Sequence, residues 1–466
     1  MTRIKFLLAL WLARLCRWAI NIVAPGRGTN LPGQIALKID HGFNGEAELA
    51  YCMTKAPFVA ITGTNGKSTT TNLLAAILKE AGIPAAVNLE GANLEGGVAA
   101  TLMAHSTLKG KLKCRYIVME TDERFLPVIS RSLPPAWLCV TNIQKDQVQR
   151  NGEPDIIYRK IASAITEDTV LFLNNEEPNA ASLSRLVKHS VFYGVDEHAK
   201  SFVKQGFFTT TMPCPVCGEP IRFYRYNVDN IGAFTCTGCG LKSSPAPAYF
   251  AHSINFADHT FAAEGQTYPL PYEAPYFLYC YIAAIAMARE IGIAKETIAA
   301  ALARFVNIGG RLETLHTGGK TIQYIRMKQE NPETLQSALD YISQDNSPKI
   351  FLLGLDELVD FHPHYTNTFY AFDCDFDQLI ASHVEHYICF SGTVAYDAAN
   401  RLVYAGVPKE QITVLPTNDD ATIVAELAKY SCPNIYLITW LYKYKSLEKY
   451  LIEHEGEKDS TPSTAV

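Results

Sequence analysis

Short apolar runs alternate with amphipathic stretches along most of the chain. A buried strand is expected at 57–62, ending in Val59-Ala60-Ile61, with others at Tyr116–Glu120, Ala136–Thr141, Val170–Asn174 and Ser190–Tyr193. Between them apolar residues fall at helical spacing, as in Leu73, Leu74, Ile77 and Leu78. Strands in step with helices from about 57 to 200 predict a parallel sheet with helices on both faces. Residues 205–245 break this rhythm with clustered cysteines and aromatic-rich short strands. Helices are expected again at 276–291 and 295–305. After a break at Asn307-Ile-Gly-Gly-Arg311, a second α/β segment follows, with strands at Lys349–Gly354, His386–Ser391, Ile412–Leu415 and Ile435–Thr439. The organisation read from this is an N-terminal helix and loop over 1–45, a central domain over 46–314 interrupted at 205–245, a C-terminal domain over 315–455, and a polar disordered tail over 456–466.

The N-terminal helix changes the picture most. Phe6 to Ala13 is apolar, but Arg14 and Arg17 interrupt it and no small-x-small cleavage site follows, which excludes a signal peptide. The run is too short to span a bilayer. Arg3, Arg14 and Arg17 share one helical face, with Leu8, Trp11, Leu12 and Leu15 largely elsewhere. Two readings stand: packing on the protein's own body, or contact with an anionic membrane surface.

The net charge of −6 argues against nucleic acid as the main partner. Four of the twelve cysteines are clustered and the rest lie scattered in apolar runs. This points to reduced thiols in the cytoplasm, with the inner face of the membrane as the site of any lipid contact.

Candidate chemistry concentrates at strand ends. The expected strand at 57–62 breaks into Thr62-Gly63-Thr64-Asn65-Gly66-Lys67-Ser68-Thr69, directly before a helical pattern. Gly63 and Gly66 let backbone N–H groups face an anion, Lys67 adds a charge, and Ser68 offers a hydroxyl to phosphate-bound Mg²⁺. The first glycine of the usual P-loop would fall at position 61, which is Ile here, so the loop is a shortened form. Alone it specifies an ATP phosphate site and leaves kinases, ATPases and ligases open. The next strand runs into Glu120-Thr-Asp122-Glu123, where Glu120 is the first choice for a second Mg²⁺ contact and Asp122 the second. A third strand ends in Thr141-Asn142, whose polar groups suit a crevice above the sheet or a helix cap. Cys214-x₂-Cys217-x₁₈-Cys236-x₂-Cys239 has zinc-ribbon spacing, with redox pairs or an iron–sulfur centre as the competing readings. Four thiolates leave Zn²⁺ no open position, so the expected role is structural.

Taken together, these motifs resemble the Mur ligase superfamily, ATP-dependent amide-forming enzymes of peptidoglycan synthesis. Within it the chain is similar to the MurT family of lipid II isoglutaminyl synthase subunits. The residues that carry this are the phosphate loop, the four-cysteine ribbon, Thr141-Asn142-Ile143 followed by Asp146-Gln147, Gly28 to Gly33, Asn331-Pro332, and the run from Ser391 to Gly406. The resemblance implies an α/β fold: a P-loop domain with a mostly parallel sheet and an inserted zinc ribbon, plus a smaller Rossmann-like C-terminal domain. It implies ATP-dependent amidation of the D-glutamate α-carboxylate of the lipid II stem peptide through an acyl phosphate. The ammonia would come from a separate GatD-like glutaminase, and ATP, Mg²⁺ and structural Zn²⁺ would be the cofactors. Carried over by position, Lys67, Ser68 and Glu120 serve phosphoryl transfer, Asn142 lines the site and Arg311 contacts nucleotide. Where the family presents two Asn toward the nucleotide this chain has Phe277 and Cys280, so stacking by Tyr276 or Phe277 is the expected substitute. An acidic loop residue of the family is thought to complete the partner's Cys–His site; Asp360 is preferred here over Asp356 and Asn367. A stand-alone amino-acid-adding Mur ligase is disfavoured, because too few residues precede Thr62 for a UDP-binding domain. A catalytically degenerate partner-binding scaffold is the third reading.

Overall fold

The computed structural model describes residues 2–23, 30–40, 56–88, 94–203, 212–228, 230–271, 274–305, 312–327, 330–355 and 369–455. The chain forms two compact units. One comprises Met1–Gln144 and Asn151–Asn307, the other Lys145–Arg150 and Ile308–Ala465.

In the first unit β1 (Phe58–Thr62), β2 (Ala85–Val87), β3 (Tyr116–Glu120), β4 (Trp137–Val140), β5 (Val170–Asn174) and β6 (Ser190–Val195) run parallel in the order β2-β3-β1-β4-β5-β6. A separate antiparallel ribbon, β7 (Ile221–Val228) and β8 (Ile231–Cys236), follows. The chain then returns to the sheet through β9 (Tyr249–Asn255), parallel to β6, and ends it with antiparallel β10 (Thr260–Ala263) and β11 (Gln266–Pro269).

Helices α1 (Thr2–Val23), α2 (Leu31–Ile39), α3 (Lys67–Glu80), α4 (Glu95–Ala104), α5 (Leu126–Ser132), α6 (Pro154–Ser163), α7 (Tyr276–Glu290) and α8 (Lys295–Ala303) flank this sheet. Successive strand residues point to opposite faces, so Val59, Ile61, Val118, Cys139 and Phe172 pack with α3, α7 and α8. Phe58, Ala60, Ile117, Met119, Leu138 and Leu171 pack with α1, α2, α4, α5 and α6. Both faces are covered, which is why the central strands read as unbroken apolar runs rather than alternating ones.

The second unit is a six-stranded sheet. Antiparallel β12 (Leu312–Thr317) and β13 (Lys320–Arg326) precede parallel β14 (Lys349–Gly354), β15 (Val384–Phe390), β16 (Ile412–Leu415) and β17 (Asn434–Thr439), in the order β12-β13-β17-β14-β15-β16. Helices α9 (Pro332–Gln344) and α10 (Val394–Tyr404) cover one face, and α11 (Asp420–Leu427) and α12 (Leu441–Glu455) the other.

The α/β class with a mostly parallel sheet is as the patterning predicts. The pattern missed three-residue β2 and the strands β9 to β13, whose polar and apolar residues mix without a strong period. The boundary expected at 314/315 falls inside β12. None of the described cysteines is in a disulfide. Among the described residues no helix is long and apolar enough to cross a membrane.

Candidate active site

The shortened glycine loop joins β1 to α3, as its sequence requires. Gly63 (φ +127°) and Gly66 (φ +88°) both occupy the left-handed half of backbone space. A Cβ on Gly63 would lie 2.3 Å from Thr141 Oγ1 and 2.6 Å from the Asn142 carbonyl oxygen, so the next strand end packs directly on the loop.

That packing is a hydrogen-bonded clamp. The Asn142 amide accepts from Asn65 N (3.0 Å) and donates to Asn65 O (3.0 Å). Thr141 Oγ1 donates to Asn65 O at 2.6 Å. Thr64 Oγ1 donates to Gln144 O (3.1 Å) and accepts from Gln144 N (2.9 Å). Thr64 N donates to Asn142 O at 2.9 Å, and Thr62 Oγ1 donates to Thr121 O at 2.9 Å. Buried Glu177 extends the clamp by accepting from Ile143 N (3.1 Å) while capping the short helix Pro178–Ser182. Asn142 therefore holds the loop backbone. Thr69 is buried in the first turn of α3.

The acidic strand end supplies two separate contacts. Ser68 Oγ donates to Glu120 Oε2 at 2.7 Å, with Ser68 exposed and Glu120 buried. Asn88 fixes the strand end from both sides: its Nδ2 donates to Glu120 O and its Oδ1 accepts from Glu120 N, each at 2.8 Å. Lys67 Nζ donates to Glu123 Oε2 at 3.1 Å, to Thr64 O at 3.2 Å and to Gly63 O. Both side chains of the Lys67–Glu123 pair are nearly buried. Asp122, the second choice for a metal, is instead committed to Arg124, which donates from Nε (3.1 Å) and Nη2 (3.0 Å). Burial alone would raise the Asp122 carboxyl, but Arg124 and the Lys67 charge hold it below the usual carboxylate value. Glu123, Asn88, Gln144 and Glu177 were not singled out from the sequence. Three carboxylates within four positions cannot be assigned to partners until the turn after β3 is built.

The substituted helix α7 approaches the loop. A Cβ on Gly66 would lie 3.2 Å from Cys280 Sγ and 3.5 Å from the Tyr276 ring. Cys280 is buried there, packed against the phosphate loop. Arg311, Asp356, Asp360 and Asn367 lie outside the described residues, as does the tail at 456–466.

The four cysteines converge. Their sulfurs all lie within 4.8 Å of one another, with Cys214–Cys239 at 3.7 Å and Cys217–Cys236 at 3.5 Å. Thiolates around tetrahedral Zn²⁺ at about 2.3 Å sit roughly 3.8 Å apart, so the set fits that ion. Amides of Cys239 (3.4 Å) and Gly238 (3.3 Å) donate to Cys236 Sγ and draw its thiol down to about 6. A closed four-sulfur shell leaves no coordination position for substrate.

In the second unit, Asn331 Oδ1 caps α9 by accepting from Thr334 N (2.8 Å), and its Nδ2 donates to buried Asp146 at 3.1 Å. Gln147, at φ +45°, donates its backbone N–H to Glu330 O at 3.0 Å. The Asp146-Gln147 segment thus folds with the second unit.

A glycine loop at a parallel-strand end, Lys67 and Ser68 leading its helix, and acids facing them make a nucleotide-phosphate site, and the comparisons place it among the Mur ligases. Residues 61–221 match the Mur ligase middle domain, and residues 329–441 match the MurT ligase C-terminal family. The chain is 30% identical over 401 residues to the lipid II isoglutaminyl synthase (glutamine-hydrolyzing) subunit MurT of Staphylococcus aureus strain COL, covering 86% of this chain and 88% of that protein. It is 28% identical to the Streptococcus pneumoniae subunit of the same name over 89% of this chain and 90% of that one. In fold it is similar to a pseudomurein peptide ligase type C from Methanothermus fervidus (TM-score 0.63, 19% identity, 86% of this chain and 79% of that one). The chain belongs to the MurT family of Mur ligases.

Proposed function

We propose that the chain is the synthetase subunit of a glutamine-dependent lipid II amidotransferase, converting the D-glutamate α-carboxylate of the stem peptide to D-isoglutamine. The observation that carries this is the pairing of Lys67 with Glu123 and of Ser68 with Glu120 around a Mur-type loop, in a chain similar over most of its length to lipid II isoglutaminyl synthase subunits.

A carboxylate oxygen of the substrate attacks the γ-phosphorus of ATP, and ADP leaves with the electrons of the broken P–O bond. The resulting acyl phosphate is attacked at carbon by the ammonia lone pair; phosphate leaves and the nitrogen loses a proton, giving the amide. Phosphoryl transfer needs positioning and charge neutralisation more than covalent help. Lys67 would contact the transferred phosphate, and the N–H groups from Gly66 to Thr69, at the start of α3, would face its oxygens. Ser68 and Glu120 would hold Mg²⁺, which supplies charge neutralisation at the phosphates. Cys214, Cys217, Cys236 and Cys239 would hold Zn²⁺ as a fold element. Arg311 would contact nucleotide, and Asp360 would complete the Cys–His site of a GatD-like glutaminase in a cytoplasmic heterodimer.

The test follows amidation of lipid II by mass, with the glutaminase co-expressed or absent and with glutamine or ammonia as donor. The proposal expects glutamine-driven amidation only with the partner, and ammonia-driven amidation without it. Attachment of a whole amino acid, or glutamine-driven activity of the chain alone, would sink it. Asp360→Asn should spare the ammonia reaction and depress the glutamine one; equal loss in both refutes that assignment.

A further inference from the structure

Helix α1 carries two apolar faces, and only one is used. Phe6, Ala9, Leu10 and Ala13 are buried in the layer formed with α2 and α4. On the opposite side Ile4, Leu8, Trp11, Leu15, Trp18 and Ile22 recur at alternating steps of four and three residues, each between 46 and 67% exposed. Leu12, 47% exposed, widens the stripe. The Trp11 indole N–H donates to Leu108 O (3.0 Å), bringing another exposed leucine to its edge. Scattered surface leucines need no explanation, but a continuous apolar stripe along a whole helix marks a contact surface.

We infer that this stripe is an in-plane docking surface for an anionic lipid bilayer. Charge selects the occupant. The helix holds Arg3, Lys5, Arg14 and Arg17 and no acidic residue, in a chain whose net charge is −6. Lys5 and Arg17 are exposed, whereas Arg14 is spent on the carbonyls of Met103 and Ser106. A second copy would bring two cationic helices face to face, which like charges oppose. An anionic headgroup layer meets the same cations favourably, and tryptophans are suited to the headgroup boundary. The helix cannot dive through the bilayer while Phe6 and Leu10 anchor it to the body, so it lies flat with the stripe embedded. The choice of lipid also rests on the reading above, which gives the enzyme a lipid-carried substrate.

The test is flotation of the full chain with vesicles of equal parts phosphatidylglycerol and phosphatidylcholine, against phosphatidylcholine alone. The inference expects at least about tenfold stronger binding to the anionic vesicles, weakening as salt rises. Brominated acyl chains should quench tryptophan fluorescence in the bound protein. The double variant Leu8→Glu/Leu15→Glu, checked for an unchanged melting temperature, should lose vesicle binding yet amidate a water-soluble stem-peptide acceptor at the native rate. Absence of binding to anionic vesicles, or binding that survives the double variant, overturns it. So does a dimer, or a glutaminase complex, that the double variant dissolves. Vesicle binding is read without turnover, so failure of the amidation reading would leave it standing on its own result.

Discussion

Lys67 is held by Glu123, an acid that a shortened P-loop does not advertise. With the lysine 11% and the glutamate 5% exposed, the pair is desolvated enough that removing one charge leaves the other costly. Glu123→Gln should therefore lower stability by about 1–3 kcal/mol. Because an ATP phosphate can replace the missing negative charge, MgATP should raise the variant's Tm more than the native chain's; equal shifts would show that the pair does not compete with phosphate. Lys67→Ala should abolish amidation from free ammonia and from glutamine alike, a loss of at least about a hundredfold.

A second buried acid predicts a pH effect. Burial, only partly offset by the Val195 N–H bond (2.9 Å), raises the Glu176 carboxyl from 4.5 to about 7. Between those values the fold keeps a proton that the unfolded chain releases, so this group costs stability as pH rises. The opposite sign holds for His198, which burial and the Arg225 and Lys200 charges lower from 6.5 to about 4, so its contribution rises with pH in that window. Glu176→Gln removes only the first effect. Its stability relative to the native chain should climb between pH 4.5 and 7 by up to about 3 kcal/mol, read from urea midpoints at each pH; parallel curves would contradict it.

Among the elements, the ribbon of β7 and β8 buries a small cluster, Cys214, Ile221, Phe234 and Cys236 packed with Ala181 of the short helix Pro178–Ser182. So little apolar surface needs another source of stability, and a four-thiolate metal supplies folding free energy directly. One zinc per chain is the expected content by atomic absorption. Cys214→Ser or Cys239→Ser should lose the metal and melt at a lower temperature; full retention of both metal and melting temperature would refute the structural role. The α9 cap makes a smaller demand: Asn331→Ala should cost about 1–2 kcal/mol through the orphaned Thr334 N–H.

What the sequence made legible follows from strength of pattern. Strands β1, β3, β5, β14 and β17 were visible because strands between covered layers are apolar at successive positions, and the cysteine ribbon because metal spacing is local. The strands β9–β11 and β12–β13, at the ends of the two sheets, were not, since their polar and apolar residues mix according to tertiary context. The clamp of Asn142 and Gln144 on the loop was also beyond reach. It joins residues about 77–80 positions apart, and only the register of β1 beside β4 brings them together.

At the scale of the whole molecule, one unit carries the phosphate loop with its acids, and the other matches the MurT ligase C-terminal family. In the proposed reaction this loop activates a stem-peptide carboxylate as an acyl phosphate for ammonia. The most direct measurement places a heavy-oxygen label in the D-glutamate α-carboxylate of lipid II and supplies ATP, Mg²⁺ and ammonia. One labelled oxygen should appear in inorganic phosphate for each amide formed. Amidation with no label in phosphate, or ATP hydrolysis with no amide, would contradict it.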